Sequence, residues 1–299
     1  MSHPLRVGMV GVGLMGHGIA SNILKAGHRL SFLDHPGNQP VEDLLAAGAQ
    51  ARASGREVAE GAEVIILCVT GSPQVEAVLF EPDGVLEGLR EGSVVVDCST
   101  ALPSSTERVA ARVQAAGGRF MDAAMTRTPK EAAEGRLNLI VGAPEALFTE
   151  LHPLLESFAE NITHAGAVGA GHTLKLVHNF VSLGFSAVLA EATVAARHAG
   201  IDDAAFLEVL GKGGGGGVIL ERLRPFIEAG DASGFRFSVA NASKDIGYYH
   251  AMTDELGVAR GVAAAVRELY GSIDDQGLAV PEIIRELEAM AADQAQSEN

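Results

Sequence analysis

A strand-length apolar run at 5–10 passes without a linker into Gly11-Val-Gly-Leu-Met-Gly16, then into a helical pattern that ends near Ala26 with Gly27 as its stop. Strand, tight glycine turn and helix in that order leave little choice of fold. The helix N-terminus presents unpaired backbone N–H groups at the end of a parallel strand, an arrangement that cradles a pyrophosphate. Gly11 permits the turn, Gly13 lets the backbone approach the phosphates, and Gly16 allows close helix packing. Cofactor contacts are expected from Gly11, Gly13, Leu14, Met15 and Gly16.

The second strand, Arg29–Leu33, delivers Asp34, eighteen residues after Gly16. A carboxylate there accepts hydrogen bonds from ribose hydroxyls and repels a 2′-phosphate, so NAD is expected rather than NADP. Helices at 41–47, Gly55–Glu60, 74–80 and 103–116 alternate with strands at 63–69, 93–97 and 119–122. That alternation predicts a mostly parallel, doubly wound sheet whose ligands sit at the carboxyl ends of the strands. Val69 and Thr70, and the segment Asp97-Cys-Ser-Thr100, follow strands and become candidates for the cofactor site. Ordinary strand-end turns are the competing account of both. A loop at 123–134 carries Thr126, Arg127 and Thr128, two hydroxyls around one guanidinium, which suits an oxyanion. A salt-bridged surface turn accounts for the same residues. A strand at 137–141, a helix to Phe158 and a strand around Ile162 complete an α/β domain over 1–165.

Beyond Gly166 the strands stop. The run at 173–199 contains no proline and ends at Gly200, so it reads as a long buried helix joining two domains. Its polar residues Lys175, Asn179, Ser182 and Ser186 fall on one stripe, with His178 beside them. Burying several polar groups in an apolar helix is costly unless they find partners, which makes Lys175 and Asn179 candidates for chemistry. Helical patterns follow at 203–210, Val218–Ala229, 239–256, 259–274 and 281–290, giving an all-α domain over 166–292. The glycines at 213–217 read as a flexible wall of the cleft with a plain linker as the rival account, a surface salt bridge is the bland account of Lys244-Asp245, and 293–299 reads as a disordered tail.

At 299 residues, two domains are the natural size. The net charge of −16 argues against nucleic acid or an anionic membrane as partner, so an anionic ligand must be caught locally. The two cysteines end apolar strands and read as reduced buried thiols, and 1–6 lacks an apolar signal segment; both point to the cytoplasm. No His/Cys/Asp grouping has metal-site spacing, and no Gly-x-Ser-x-Gly follows a strand. Hydride transfer to a nicotinamide requires neither, only an acid/base and positioning.

Taken together these motifs resemble the β-hydroxyacid dehydrogenase family, over nearly the whole chain. Gly11-Val-Gly-Leu-Met-Gly16 is similar to its cofactor signature, and Asp97-Cys-Ser-Thr100 to the segment at the nicotinamide end. The resemblance of Gly169-Ala-Gly-His-Thr-Leu-Lys-Leu-Val-His-Asn179 to the catalytic signature implies that Lys175 is the acid/base and that Asn179 binds substrate. Phe237 followed by Lys244-Asp245 matches a motif whose lysine lies near cofactor and substrate. The family implies a Rossmann-type domain followed by an all-α domain, a small anionic substrate, and a homodimer or homotetramer.

The departures concern the substrate end. Most members carry Ser-Gly-Gly where this chain has Thr126-Arg127-Thr128, and Arg127-Thr128 is similar to the Arg-Thr of sulfolactaldehyde reductases. A guanidinium there should favour a sulfonate or a more highly charged acid. Thr70 replaces a proline, and His178 the first asparagine of a pair. The rival readings are a cofactor-binding module without chemistry, which the presence of Lys175 opposes, and an imine-reducing or sugar-acid-decarboxylating enzyme of the same fold.

Overall fold

The computed structural model describes residues 3–273 and 277–297. The chain divides into two compact units, Met1–Lys175 and Leu176–Asn299.

The first unit is built on one sheet of eight strands: β1 (Arg6–Val10), β2 (Arg29–Leu33), β3 (Gln50–Arg52), β4 (Val64–Leu67), β5 (Val94–Asp97), β6 (Arg119–Thr126), β7 (Leu137–Gly142) and β8 (Ala159–Gly166). Their order is β3-β2-β1-β4-β5-β6-β7-β8, and every pairing is parallel except β6 with β7. The central strands are apolar on both faces because helices cover both. Val64, Ile66, Val94 and Val96 enter one core, while Ile65, Leu67 and Val95 enter the other. This two-residue period divides each strand between two layers of helices. From β1 the chain runs outward through β2 and β3, then returns to β4 on the other side of β1. The reversal makes a crevice at the carboxyl ends of β1 and β4.

Two features of this unit depart from the sequence reading. The edge strand β3 was not expected, since three residues carrying Gln50 and Arg52 show no apolar alternation; pairing with β2 alone defines it. The segment 123–134, expected as a loop, is ordered. β6 continues to Thr126 because β7 runs beside it, with Ala123 opposite Val141 and Thr126 opposite Asn138. A helix, Pro129–Ala133, follows at once, with Thr128 and Glu131 forming its capping box. The partner strand, not the local pattern, sets that extension.

The second unit is helical, and the long helix Ala170–His198 enters it. By length and composition this helix could cross a bilayer, but Leu183, Ala187, Leu189 and Ala190 belong to the core of the unit. The helices Asp203–Lys212, Val218–Ala229, Val239–Glu255, Gly261–Ser272 and Ile283–Ser297 surround it, with no strand among the described residues. Arg197 ties the end of the long helix to its neighbours: Nη1 donates to Glu288 at 2.7 Å, Nη2 to Asp203 at 2.8 Å and to the carbonyl of Ile227 at 2.9 Å. The last helix continues to Ser297, which corrects the disordered tail expected from 293 onward. Alanine and glutamine in that stretch are good helix formers. Glu298 and Asn299, like Asp274 at the end of the expected 259–274 helix, lie outside the described residues.

The two units divide at Lys175, inside the first turns of the long helix, whereas the sequence places the domain boundary at 165, before that helix begins. The first residues of the long helix belong to the sheet. A Cβ on Gly171 would lie 2.5 Å from the carbonyl oxygen of Ile140 and 2.7 Å from Oδ2 of Asp122, so only glycine permits this approach. The Asp122 side chain, fully buried, accepts from the backbone N–H of Gly169 at 2.7 Å and of His172 at 2.8 Å. It supplies both an acceptor and a negative charge to a helix N-terminus. His172 is equally buried, with Nδ1 2.7 Å from the Thr106 hydroxyl.

Candidate active site

At the crevice between β1 and β4 the backbone is too tight for any side chain at two positions. Gly11 has φ +95°, and a Cβ there would lie 2.2 Å from the carbonyl oxygen of Cys68; one on Gly16 would lie 1.9 Å from that of Gly11. Over Gly13 the space is open, the nearest atom to a built Cβ being the Gly37 oxygen at 3.9 Å. Leu14 is 67 % exposed, large and apolar for such a position. A tight turn with an open face and an uncovered leucine is what a dinucleotide's pyrophosphate and sugar would fit against.

Asp34 stands exposed just past β2, on the rim of a groove of about 370 Å3 that His35, Ser54, Val78 and Pro82 also line. Val69 and Thr70 follow β4, and Thr100 follows β5 on the adjacent strand. Here the structure ties the two strand ends together: the Val69 N–H donates to the Ser99 hydroxyl at 3.1 Å, and the Ser99 N–H to Asp97 at 2.9 Å. Cys68 and Cys98 lie at the same edge. Burial pushes the Cys68 thiol up to about 12, with Asp97 adding to it, and Cys98 is raised well beyond its usual value by the same burial. Both are held as neutral thiols, as packing groups and not nucleophiles.

The polar stripe of the long helix separates into two parts. Lys175 is 8 % exposed and Asn179 5 %. Ser182 and Ser186 turn back on their own helix, donating to the carbonyls of Asn179 at 3.3 Å and Ser182 at 2.9 Å. Those serines are thereby satisfied locally. What remains of the stripe is the lysine and, one helical turn on, the asparagine.

Asn179 in turn belongs to a cluster in the second unit. Its Nδ2 donates to Oδ2 of Asp245 at 2.6 Å, its Oδ1 lies 3.0 Å from Nδ1 of His178, and Lys244 Nζ lies 3.1 Å from the other Asp245 oxygen. Asp245 is 2 % exposed. The expected surface salt bridge is therefore a buried one. The signal that could have revealed it is helical spacing, because Asp245 shares the buried face of its helix with Val239, Ala242 and Ile246.

The segment Thr126–Arg127–Thr128 is engaged by its surroundings. The Thr126 hydroxyl accepts from Asn138 Nδ2 at 3.0 Å, and Asn138 Oδ1 accepts from Asn161 at 2.9 Å. Arg127, with φ +80°, donates to the Glu160 carboxylate and to the carbonyl of Arg136. The hydrogen bond from Arg127 holds the Glu160 carboxyl below its usual range. Thr128 donates to Glu131 at 2.5 Å. The partners Asn138, Glu131 and Glu160 were not singled out in the sequence, since two of them lie far along the chain. No group of His, Cys, Asp and Glu among the described residues could hold a metal.

Comparison with known proteins gives the family. Residues 6–166 match the NAD binding domain of 6-phosphogluconate dehydrogenase, and 169–283 the NAD-binding family of NADP-dependent 3-hydroxyisobutyrate dehydrogenase. The chain is 34 % identical to the 2-(hydroxymethyl)glutarate dehydrogenase of Eubacterium barkeri over 83 % of its own length and 82 % of the relative's. It is 32 % identical to the 3-sulfolactaldehyde reductase of Escherichia coli strain K12 over 88 % of each. In fold it is similar to the 3-hydroxyisobutyrate dehydrogenase of Mycobacterium tuberculosis, with a TM-score of 0.85, 24 % identity, and coverage of 95 % of this chain and 99 % of that one. The glycine turn at the switch point and the buried lysine of the long helix thus stand in a chain matched along both units, and the protein is an oxidoreductase with a nicotinamide cofactor that belongs to the β-hydroxyacid dehydrogenase family.

Proposed function

We propose that this chain catalyses the reversible, NAD-linked oxidation of a short anionic β-hydroxy acid, or its sulfonate analogue, to the semialdehyde. The observation that carries this reading is Lys175, an amine 8 % exposed on an apolar helix one turn ahead of the buried Asn179. The nicotinamide supplies a hydride acceptor in oxidation and a hydride donor in reduction. Lys175 takes the hydroxyl proton in oxidation and returns it in reduction, while Asn179 holds the reacting oxygen. Gly11, Gly13, Leu14, Met15 and Gly16 hold the pyrophosphate, Val69, Thr70 and Thr100 border the nicotinamide, and Lys244 takes the cofactor and substrate role that its motif implies. Asp34 selects NAD, because its carboxylate would face the 2′-phosphate of NADP.

Thr126, Arg127 and Thr128 receive the substrate's anionic end. The Thr126 oxygen already accepts from Asn138, which leaves its O–H to donate. The Arg127 guanidinium, shared with Glu160, adds selectivity for a second negative charge or a sulfonate.

Initial rates with NAD and with NADP on 3-hydroxyisobutyrate, 3-hydroxypropionate, tartronate semialdehyde and sulfolactaldehyde test this. A sulfonate or doubly charged substrate should lead with the NAD-linked couple, and Arg127→Gly should cut that preference about tenfold. If 3-hydroxyisobutyrate leads and the variant is unchanged, Arg127 serves only as the partner of Glu160.

The long helix also exposes Leu174 at 40 %, Val177 at 37 %, Val181 at 63 % and Val188 at 57 %, spaced along one face. We propose that another copy of the chain covers this stripe in a homodimer or homotetramer, and that the unbridged thiols suit the reducing cytoplasm. Val181→Glu should shift the sedimentation coefficient toward the monomer; a monomeric parent protein would refute the assembly.

A further inference from the structure

We infer that Asp245 is the positioning residue of this site: it fixes the Asn179 carboxamide in one orientation, so that the remaining N–H of Asn179 is held ready to donate to the substrate oxygen. The inference rests on the hydroxy-acid dehydrogenase reading above. Asp245 does not touch the substrate; it acts through Asn179.

The argument begins with burial. A carboxylate 2 % exposed among Val239, Ala242 and Ile246 is costly unless a countercharge and hydrogen bonds compensate it. Lys244 Nζ, 3.1 Å from Oδ1, supplies the charge without a hydrogen bond to that oxygen, and Asn179 Nδ2 at 2.6 Å supplies the hydrogen bond to Oδ2. An ionised carboxylate only accepts, so only the NH2 end of the amide can face it. At the other end, Oδ1 of Asn179 lies 3.0 Å from Nδ1 of His178, which donates in the tautomer that carries its proton there. Both ends of the amide are therefore assigned, and a flip would set two acceptors against each other at 2.6 Å.

One hydrogen on Nδ2 is left, beside one lone pair of Oδ1. Of the two, only the N–H can serve an aldehyde oxygen, which accepts and does not donate. A donor stabilises the negative charge that develops on the carbonyl oxygen during reduction, whereas a flipped amide would present its own oxygen and repel that charge. The lysine one turn earlier supplies the proton; the asparagine holds the oxygen that takes it.

The decisive variant is Asp245→Asn, which keeps the shape but can both accept and donate, so it no longer dictates the orientation of Asn179. Steady-state kinetics should show kcat/KM falling about tenfold to a hundredfold, mainly in kcat. In an Asn179→Ala background the same change should cost nothing further, because the group it positions is gone. Additive losses, or a variant that loses stability while kcat stays at the parent value, overturn the inference and leave a packing role. A readout free of turnover accompanies these: in protein labelled with 15N at asparagine, the Asn179 side-chain NH2 should show one downfield, exchange-protected proton that Asp245→Asn removes. Its absence from the parent protein refutes the proposed orientation. A parent that shows the proton but oxidises no hydroxy acid refutes the catalytic assignment above and, with it, the role of Asp245 in turnover.

Discussion

Replacing Lys175 by alanine is expected to lower kcat/KM about 10²- to 10⁴-fold, the range that loss of a positioned acid/base produces. Affinity for the cofactor should change by less than about twofold, since the proposed pyrophosphate holder is the glycine turn and not the lysine. The two readouts separate the roles. The chain has no tryptophan, so binding is best followed by calorimetry, and turnover by the absorbance of the reduced nicotinamide. Arginine should fail to restore activity, because a guanidinium does not give up its proton in the working range. Loss of cofactor binding with residual turnover would place the lysine in the cofactor site and remove it from the chemistry.

Asp122→Ala is expected to destabilise the protein by about 2–6 kcal/mol, the cost of leaving two buried N–H groups, those of Gly169 and His172, without an acceptor. Denaturant titration followed by circular dichroism measures it. A loss under about 0.5 kcal/mol would mean that the helix start rearranges to satisfy itself. The same carboxylate gives a pH signature. Burial raises the Asp122 carboxyl above its usual range, and the two N–H groups and His172 do not cancel that rise. A raised value means that the folded state binds the proton more tightly. The contribution of this group is then fully present below the ordinary carboxylate range and is lost as pH rises through the raised value. Asp122→Asn should lack that slope, which the difference between parent and variant across pH 4–7 will show.

Much of the fold was legible because the features responsible are local. The glycine turn, the alternation of strands and helices, and the glycine stop of the long helix each carry their own signal within a few residues. What escaped depends on partners distant in the chain. β6 extends to Thr126 only because β7 lies antiparallel beside it, and the residues of β7 say nothing about that neighbour. Asp245 looked like one half of an exposed pair because its true partner, Asn179, is 66 positions away. Arg127 was legible as a cation in an acidic chain, while Glu160, which holds it, was not. The polar stripe of the long helix is legible from its spacing, but that Ser182 and Ser186 bond to their own helix while the Asn179 amide bonds to Asp245 is visible only in the structure.

The start of the long helix bears on how such chains can be recombined. A crossover at 166, where the two matched families meet, would take Asp122 from one parent and the backbone it grips from the other. The glycine at 171 would then face a foreign Ile140 carbonyl and a foreign carboxylate, with no room for a side chain. The heritable module is the sheet together with the first turns of the helix, so exchange of sequence between relatives is best tolerated after Lys175. Lys175, the residue proposed as acid/base, thus travels with the nucleotide fold.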